Sequence, residues 1–539
     1  MRSRHFVLPA LLVTLVTAAP IAQQVPVSTG AAAIREADLR EWLTYIASDE
    51  LQGRATYTEG LGLAAGYISS HLQQWGVKPA GDHGTYLQVV RVLGIRNNSK
   101  ATVTVNVNGQ SRTFKDGEGV SFSKNMGGRQ TITGEQIEFV GHGLQVPSSN
   151  HDDYAGVDAK GKVLVYLSVS SPSSANTMTS GRGARALSKG AIAVVGPQPP
   201  TTPGRASTPT VSPSAAPGGG RGPSAPDNGD FTTVRRYDLP VAPQVTAADE
   251  FFEFLFSGSN VKYAELKMIA EKREALPRFP LKGVKMTIDI EPDYQVVRTR
   301  ITNNVVGIVE GSDPKLRDTY VAFGAHYDHV GYREAGAPAG GDSNPGGCAG
   351  QVRETPRPGD NLNNGADDDG SGTVALMALA RAFAQEPKPK RSLLFVWHAG
   401  EEQGLLGSVY MAEHPVVGSN EKIVAQLNMD MIGRTRCDDP AASNMVLVVG
   451  SDRISTELHN LNEDANTSMD KPLTLNYEMN DPADPQSIYT RSDHYSYASK
   501  GIPIIFYFTG LHKDYHFVTD EISKIEFPKL ARVAQLVYA

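Results

Sequence analysis

Only two cysteines, Cys348 and Cys437, occur in 539 residues. A disulfide scaffold, which needs a dense set of bridges in a short chain, is therefore excluded. Extended apolar stretches are also scarce: the N-terminal one, residues 6–16, is too short to span a bilayer and has no stop-transfer flank. An excess of positive charge is missing as well. The 51 Lys and Arg are outnumbered by 58 Asp and Glu, for a net charge of −7, and both signs are mixed along the chain. That leaves no electrostatic footprint for a phosphate backbone or an anionic lipid surface, so nucleic acid is not an expected partner.

What is present begins with an export signature. Arg2 and Arg4 precede the apolar stretch and small residues, Ala18, Ala19 and Ala22, follow it. Residues 1–22 read as a secretory signal peptide, which places the mature chain in the periplasm or outside the cell, with no stable membrane insertion after signal removal. No cysteine follows the stretch, which disfavours a lipoprotein anchor. The length exceeds what one core usually serves, so two domains are expected, one inserted into the other. Nothing in the residues sets an oligomeric state.

Helical spacing of apolar residues marks 34–48 and 59–76, the second with Leu61, Ala64, Ala65, Ile68 and Leu72 on one face. From 101 to 139 the pattern changes to alternation, as in Val103, Val105 and Val107, which reads as short strands. Between 197 and 228, Pro, Gly, Ser and Thr crowd out apolar residues, the composition of a flexible loop. From residue 304 onward, strand candidates at 305–309, 320–325, 392–397, 423–429, 445–449 and 502–508 alternate with helical patterns, notably 372–385. Near-continuous apolar strands alternating with helices predict an α/β fold with a mostly parallel sheet covered on both faces. Functional residues should then gather at the carboxyl ends of its strands.

Metal-ligand residue types stand at those ends. The strand at 320 runs into His326 and Asp328 in GAHYDHVG, the strand at 392 into Glu401 and Glu402 in HAGEEQGLLGS, and the strand at 423 into Asp430 in LNMDMIGR. A turn, NNGADDDGSG, sets Asp367, Asp368 and Asp369 ahead of a helix, and KDYHFVTD supplies Tyr515 and His516. One such pair would be an ordinary buried contact. Repeated acids without matching Lys or Arg would repel one another, and divalent cations remove that cost. Imidazole mixed with carboxylate favours zinc, although manganese or cobalt could substitute.

These strings, together with ASDELQGR at 47–54, GYISSHLQQWGVKPAGD at 66–82, RSDHYSYASKGIP at 491–503 and TGLHKDYH at 509–516, resemble the co-catalytic di-zinc peptidase family. That family contains bacterial leucyl-type aminopeptidases, glutamate carboxypeptidases, glutaminyl cyclases and the non-catalytic transferrin receptors. DDYAGVDAKGKVLV at 152–165 resembles the entry of the protease-associated domain that secreted bacterial members carry. The resemblance implies a zinc exopeptidase fold built from residues 30–117 and 286–539, interrupted by an inserted β-rich domain over 118–285. It implies two zinc ions per chain, with His326 and Asp430 on one, Glu402 and His516 on the other, and Asp368 bridging. Glu401 would be the general base that deprotonates a metal-bridging water, Asp328 the acceptor for the far nitrogen of His326, and Tyr515 a donor to the developing oxyanion. Peptides are the implied substrates, cut at the N-terminal bond. Carboxypeptidase action is the nearest alternative, using Arg434, Arg436 or Arg491; glutaminyl cyclase and a receptor-like binding module stand further off. After His516 the family usually continues Thr-Pro, whereas this chain has Phe517 and Val518.

Other polar residues near the motifs have plainer readings. Asp367 and Asp369 are expected to cap the following helix. His329, His398, His494 and His512 are expected to be ordinary hydrogen-bonded or exposed histidines. Arg491 is expected to pair with Asp493. Cys348 and Cys437 both leave the sheet edge that carries the ligands, so they form a disulfide candidate in an oxidising compartment, with two buried free thiols as the alternative.

Overall fold

Four segments with almost no polar face set the centre of the molecule, because such strands must be covered on both sides. In the computed structural model they are β1 (Tyr320–His326), β2 (Ser392–His398), β3 (Ile423–Met429) and β4 (Ile504–Phe508). They lie parallel in the order β2-β1-β3-β4. The sheet continues antiparallel on both sides, through Tyr294–Val309 and Leu87–Asn97 beyond β2 and through Met445–Val449 beyond β4. It is therefore a mixed sheet, with four parallel strands at its centre and a short parallel pair, Met445–Val449 with Thr474–Asn476, at one edge. Strand rhythm alone could not show this, since Tyr294–Val309 takes its direction from a partner far earlier in the chain.

The structure describes residues 30–539 apart from 147–148, 169, 176–180, 199–228, 334–347, 349–350, 482–483 and 485. The signal peptide, nearly all of the low-complexity loop and most of the glycine-rich stretch at 331–359 lie outside the described residues. Among the described residues, no helix is long and apolar enough to cross a membrane.

Successive side chains of β2 feed two cores, as a period of two requires. Leu393, Phe395 and Trp397 join Leu43, Ile68, Leu376 and Leu530 from the helices Glu36–Ile46, Glu59–Gln74, Gly372–Gln385 and Phe527–Tyr538. Leu394 and Val396 join Met411 and Tyr497 from the helices Leu406–Glu413 and His494–Ala498 on the other face. Each such side chain fully removed from water contributes about 1.5–3 kcal/mol, so the strand ends are held by packed cores on both faces.

A second sheet of ten strands has its own core around Val103, Val105, Phe139, Val163, Phe251 and Ile288. It begins with Lys100–Val107 and Gln110–Asp116 and closes with Val284–Glu291. Lys100–Val107 pairs along its whole length with Val284–Glu291, so the inserted unit starts before 118 and ends after 285. Local alternation marks these residues as strands but does not say which sheet takes them.

Candidate metal centre

The carboxyl ends of the parallel strands and the loops that follow bring the acids and histidines into one buried cluster. His326 closes β1, Asp430 follows β3, Glu401 and Glu402 follow β2, and His516 lies in the loop after β4. Asp368 comes from the turn ahead of Gly372–Gln385. His326 Nε2 is 3.2 Å from Asp368 Oδ1 and 3.6 Å from Asp430 Oδ1. His516 Nε2 is 3.0 Å from Asp368 Oδ2 and 2.9 Å from Glu402 Oε2. The two oxygens of Asp368 thus face different histidines, the disposition of a carboxylate shared between two cations.

The shell behind these groups is built from main-chain donors and acceptors. Asp328 differs from the role expected of it. The His326 ring directs Nδ1 at the Asp328 main-chain carbonyl at 3.1 Å, and the Asp328 carboxylate is 3.8 Å away, beyond hydrogen-bond distance. Its oxygens are taken by Glu401 N at 3.1 Å, Glu402 N at 3.4 Å and Thr56 Oγ1 at 3.1 Å. Asp328 therefore fixes the loop that carries the base and a ligand.

Asp369 caps Gly372 N at 2.9 Å, as expected, and also accepts from His326 N and Met431 N, both at 3.2 Å, tying three loops together. Gly372 permits this, since a Cβ there would fall 2.5 Å from the Asp369 carboxylate. Asp367 does not cap the helix. It accepts from Gly433 N at 2.7 Å and faces His512 Nε2 at 3.1 Å, because the turn over Ala366–Ser371 points it toward the loop after β3.

Two charged residues outside the expected set complete this shell. Arg54 has no exposed surface, and its guanidinium donates to the carbonyls of Tyr327 (2.9 Å), Ile46 (2.5 Å), Asn364 (2.7 Å) and Gly365 (2.9 Å). It anchors both the loop after His326 and the turn before Asp368, and places one positive charge among the acids. Asp520 accepts from Asp367 N at 3.1 Å and Asp368 N at 3.1 Å. Arg54 stands in a motif tied to the family, but no local pattern assigns it the Tyr327, Asn364 and Gly365 carbonyls, which lie hundreds of residues away.

Glu401 is half-buried beside this cluster and lines the same pocket. Burial pushes its pKa well above the ordinary range; His326 opposes the shift, and Glu402, Asp430 and Asp493 add to it. Tyr515 stacks on His516 with ring centroids 3.9 Å apart, and burial pushes its hydroxyl up to about 12, so it stays protonated at neutral pH. Its oxygen accepts from Arg491 Nη2 at 3.2 Å, which leaves the hydroxyl hydrogen free for another acceptor. Arg491 was expected to pair with Asp493; instead Asp493 lies 3.4 Å from His398 Nδ1. A pocket of about 350 Å³, counting its open mouth, is lined by the polar Asp368, Glu401, Asp430, Arg491, Tyr515 and His516 and by the apolar Met431, Ile488, Phe506, Phe508 and Leu511.

Of the histidines given plain readings, His398 bonds Tyr497 Oη at 2.9 Å, His494 bonds the Tyr489 carbonyl at 2.8 Å, and His512 faces Asp367. His329 is different. Its Nδ1 is 2.9 Å from Glu402 Oε1, inside the cluster. Cys348 and Cys437 are joined by a disulfide with Cα atoms 5.4 Å apart. The tethered segment packs on the loop of the final ligand, with Arg353 Nε donating to the Lys513 carbonyl at 2.8 Å and Nη2 to the Tyr515 carbonyl at 3.3 Å.

The donor set fits a metal. His326 Nε2 and Asp368 Oδ2 are shielded from solvent and make no well-directed hydrogen bond, a costly state that a coordinated cation removes. His326, Asp368 and Asp430 have ligand atoms close enough to share one ion, and so do His329, Asp368 and Glu402. Mixed imidazole and carboxylate is zinc chemistry.

The chain is 33% identical over 135 residues to a probable zinc metalloprotease of Pyrenophora teres f. teres (strain 0-1), covering 25% of this chain and 23% of that protein. It is 26% identical over 247 residues to leucine aminopeptidase 1 of Trichophyton equinum, covering 44% of this chain and 56% of that one. The chain thus spans from about a quarter to about half the length of these curated relatives. Among solved structures, the aminopeptidase from Aneurinibacillus sp. strain AM-1 aligns with a TM-score of 0.43 at 17% identity, over 94% of this chain and 93% of that chain. The model of peptidase family M28 matches residues 304–539, the segment that supplies all five proposed ligands and Glu401. Over that segment, this chain is similar to peptidase family M28.

Proposed function

We propose that the protein is an exported di-zinc aminopeptidase that removes the N-terminal residue of peptides. The observation that carries this reading is Asp368, whose two oxygens face His326 and His516 separately, with Glu401 beside them but outside both sets of ligands. His326, Asp368 and Asp430 would hold one zinc ion, and Asp368, Glu402 and His516 the other. Zinc bound there supplies Lewis acidity toward water and toward a peptide carbonyl.

The chain's own residues provide the rest. Glu401, its basicity raised by burial, accepts the proton of the attacking water and returns it to the leaving amine. Tyr515, held by Arg491, donates its hydrogen to the carbonyl oxygen as negative charge builds there. Asp430 and Glu401 give an N-terminal ammonium a counter-charge at the pocket, and the Met431, Ile488, Phe506, Phe508 and Leu511 wall suits an apolar side chain. The name of the Trichophyton equinum relative, leucine aminopeptidase 1, supports both features.

Carboxypeptidase action is less well supported. Arg434 is buried against Asp514 at 2.7 Å and Arg436 bonds Glu478, which leaves Arg491 as the arginine at the pocket among the three considered. Ligands for two ions count against a glutaminyl cyclase, and the retained Glu401 counts against a receptor-like module. The segment at 152–165 supports reading the second sheet as a protease-associated domain, and the N-terminal signature supports export.

Acetylation of the substrate tests the central point. A leucyl arylamide should be cleaved and its N-acetyl form should not, because the ammonium no longer docks the bond at the reacting centre. Equal rates on both would remove the aminopeptidase assignment.

A further inference from the structure

His329 belongs to the same motif as His326, GAHYDHVG, but has no part in the hydrolytic scheme. It is nevertheless 1% exposed and faces the proposed ligands. Its Nδ1 is 2.9 Å from Glu402 Oε1 and 3.7 Å from Asp368 Oδ2, while the other oxygen of Glu402, Oε2, faces His516 Nε2 at 2.9 Å. The ring has little freedom. His329 N donates to the carbonyl of the buried Arg54 at 3.2 Å. On its other side the ring lies against Gly365, where a Cβ would fall 2.5 Å from Cγ and Cδ2. Gly365 also has a φ of +59°, so both the conformation and the close approach call for glycine there.

We propose that His329 is a positioning residue of the second metal site: its Nδ1–H donates to Glu402 Oε1 and turns Oε2 toward the ion shared with His516 and Asp368. This rests on the dinuclear reading above. The surroundings of its other nitrogen favour it over direct ligation by His329. A ligating histidine passes the proton of its other nitrogen to an acceptor, as His326 does with the Asp328 carbonyl at 3.1 Å. His329 Nε2 is buried and has no partner among the described residues. Ligation through Nδ1 would leave an N–H there with no acceptor among the described residues. Donation through Nδ1 leaves only a lone pair.

The role is specific to the position of one hydrogen. Asparagine places an amide N–H close to where Nδ1 stands, glutamine carries it past that point, and leucine fills the volume without a donor. The test is zinc titration of the metal-stripped full chain by calorimetry, for wild type and for His329→Asn, His329→Gln and His329→Leu. Melting temperatures of the stripped proteins report on folding.

Wild type should show two binding events. His329→Leu and His329→Gln should weaken one of them about 10- to 100-fold and leave the other unchanged, and His329→Asn should recover most of the loss. The cobalt-loaded Asn variant should keep the wild-type visible spectrum, because the ligands are the same. If the Leu variant does not fold, the contrast between Asn and Gln decides. Unchanged zinc affinity in the folded Leu and Gln variants would overturn the proposal. So would equal weakening by Asn and Gln, weakening of both events together, or a cobalt spectrum in the Asn variant showing one imidazole fewer. A wild-type chain that binds no zinc would instead overturn the dinuclear reading itself.

Discussion

Changing Glu401 to Gln separates proton transfer from metal binding. The residue is half-buried, and its main-chain N–H is held by Asp328 Oδ1 at 3.1 Å, an anchor that the substitution leaves in place. Glutamine has nearly the same shape, so the pocket neither opens nor fills. What is lost is a proton acceptor, one whose basicity burial raises most, against the pull of His326, with Glu402, Asp430 and Asp493 raising it further. A general base is worth about 10²- to 10⁴-fold in rate, which at 1.36 kcal/mol per tenfold is about 2.7–5.4 kcal/mol of transition-state stabilisation. The assay is steady-state cleavage of a leucyl arylamide with zinc analysis of the same preparation. The expected outcome is a fall in kcat of that size with both metals retained and KM little changed. Turnover within about threefold of wild type, far short of a general base's usual share, would refute the assignment of the base. Loss of one zinc would refute the claim that Glu401 is not a ligand.

Tyr515→Phe should lower kcat by up to about 2.7–4 kcal/mol, the usual worth of one oxyanion donor, with KM unchanged; a change in KM alone would make it a binding residue. Arg54→Met should destabilise the fold by more than about 3 kcal/mol in urea denaturation, since it leaves the Tyr327, Ile46 and Asn364 carbonyls without the donor they have in Arg54; a loss under about 1 kcal/mol would contradict the anchoring role. Thiol titration of denatured, unreduced mature protein should find no free thiol. The double change Cys348→Ser and Cys437→Ser should cost roughly 4–5 kcal/mol by loop closure and lower kcat through the loop carrying Tyr515 and His516; unchanged stability and kcat would deny the tether a role.

Strand-end logic gathered the candidate acids and histidines, because each cluster follows an apolar run or opens a helix, and the family resemblance then singled out His326, Asp368, Glu402, Asp430 and His516 among them. The helix at 372–385 was legible for the same reason, its apolar positions recurring at helical spacing up to Gln385. Roles that depend on where a second chain segment passes were not. Whether Asp328 meets His326 through its carboxylate or its carbonyl depends on the loop after β2 arriving with two N–H donors. His329 looked ordinary because its neighbour Glu402 lies 73 residues on. Arg491 has an acid two residues away in sequence, yet the turn sends Asp493 toward His398 and Arg491 toward Tyr515. The placement of Lys100–Val107 in the second sheet is of the same kind, settled by Val284–Glu291.

The central claim is that Asp368 bridges two zinc ions, and anomalous diffraction from zinc-loaded crystals at the zinc absorption edge tests it most directly. The account predicts two peaks per chain, about 3.5–4 Å apart as in two-metal sites generally. One should lie among His326, Asp368 and Asp430 and the other among Asp368, Glu402 and His516. A single peak, or two that do not share Asp368, would contradict it.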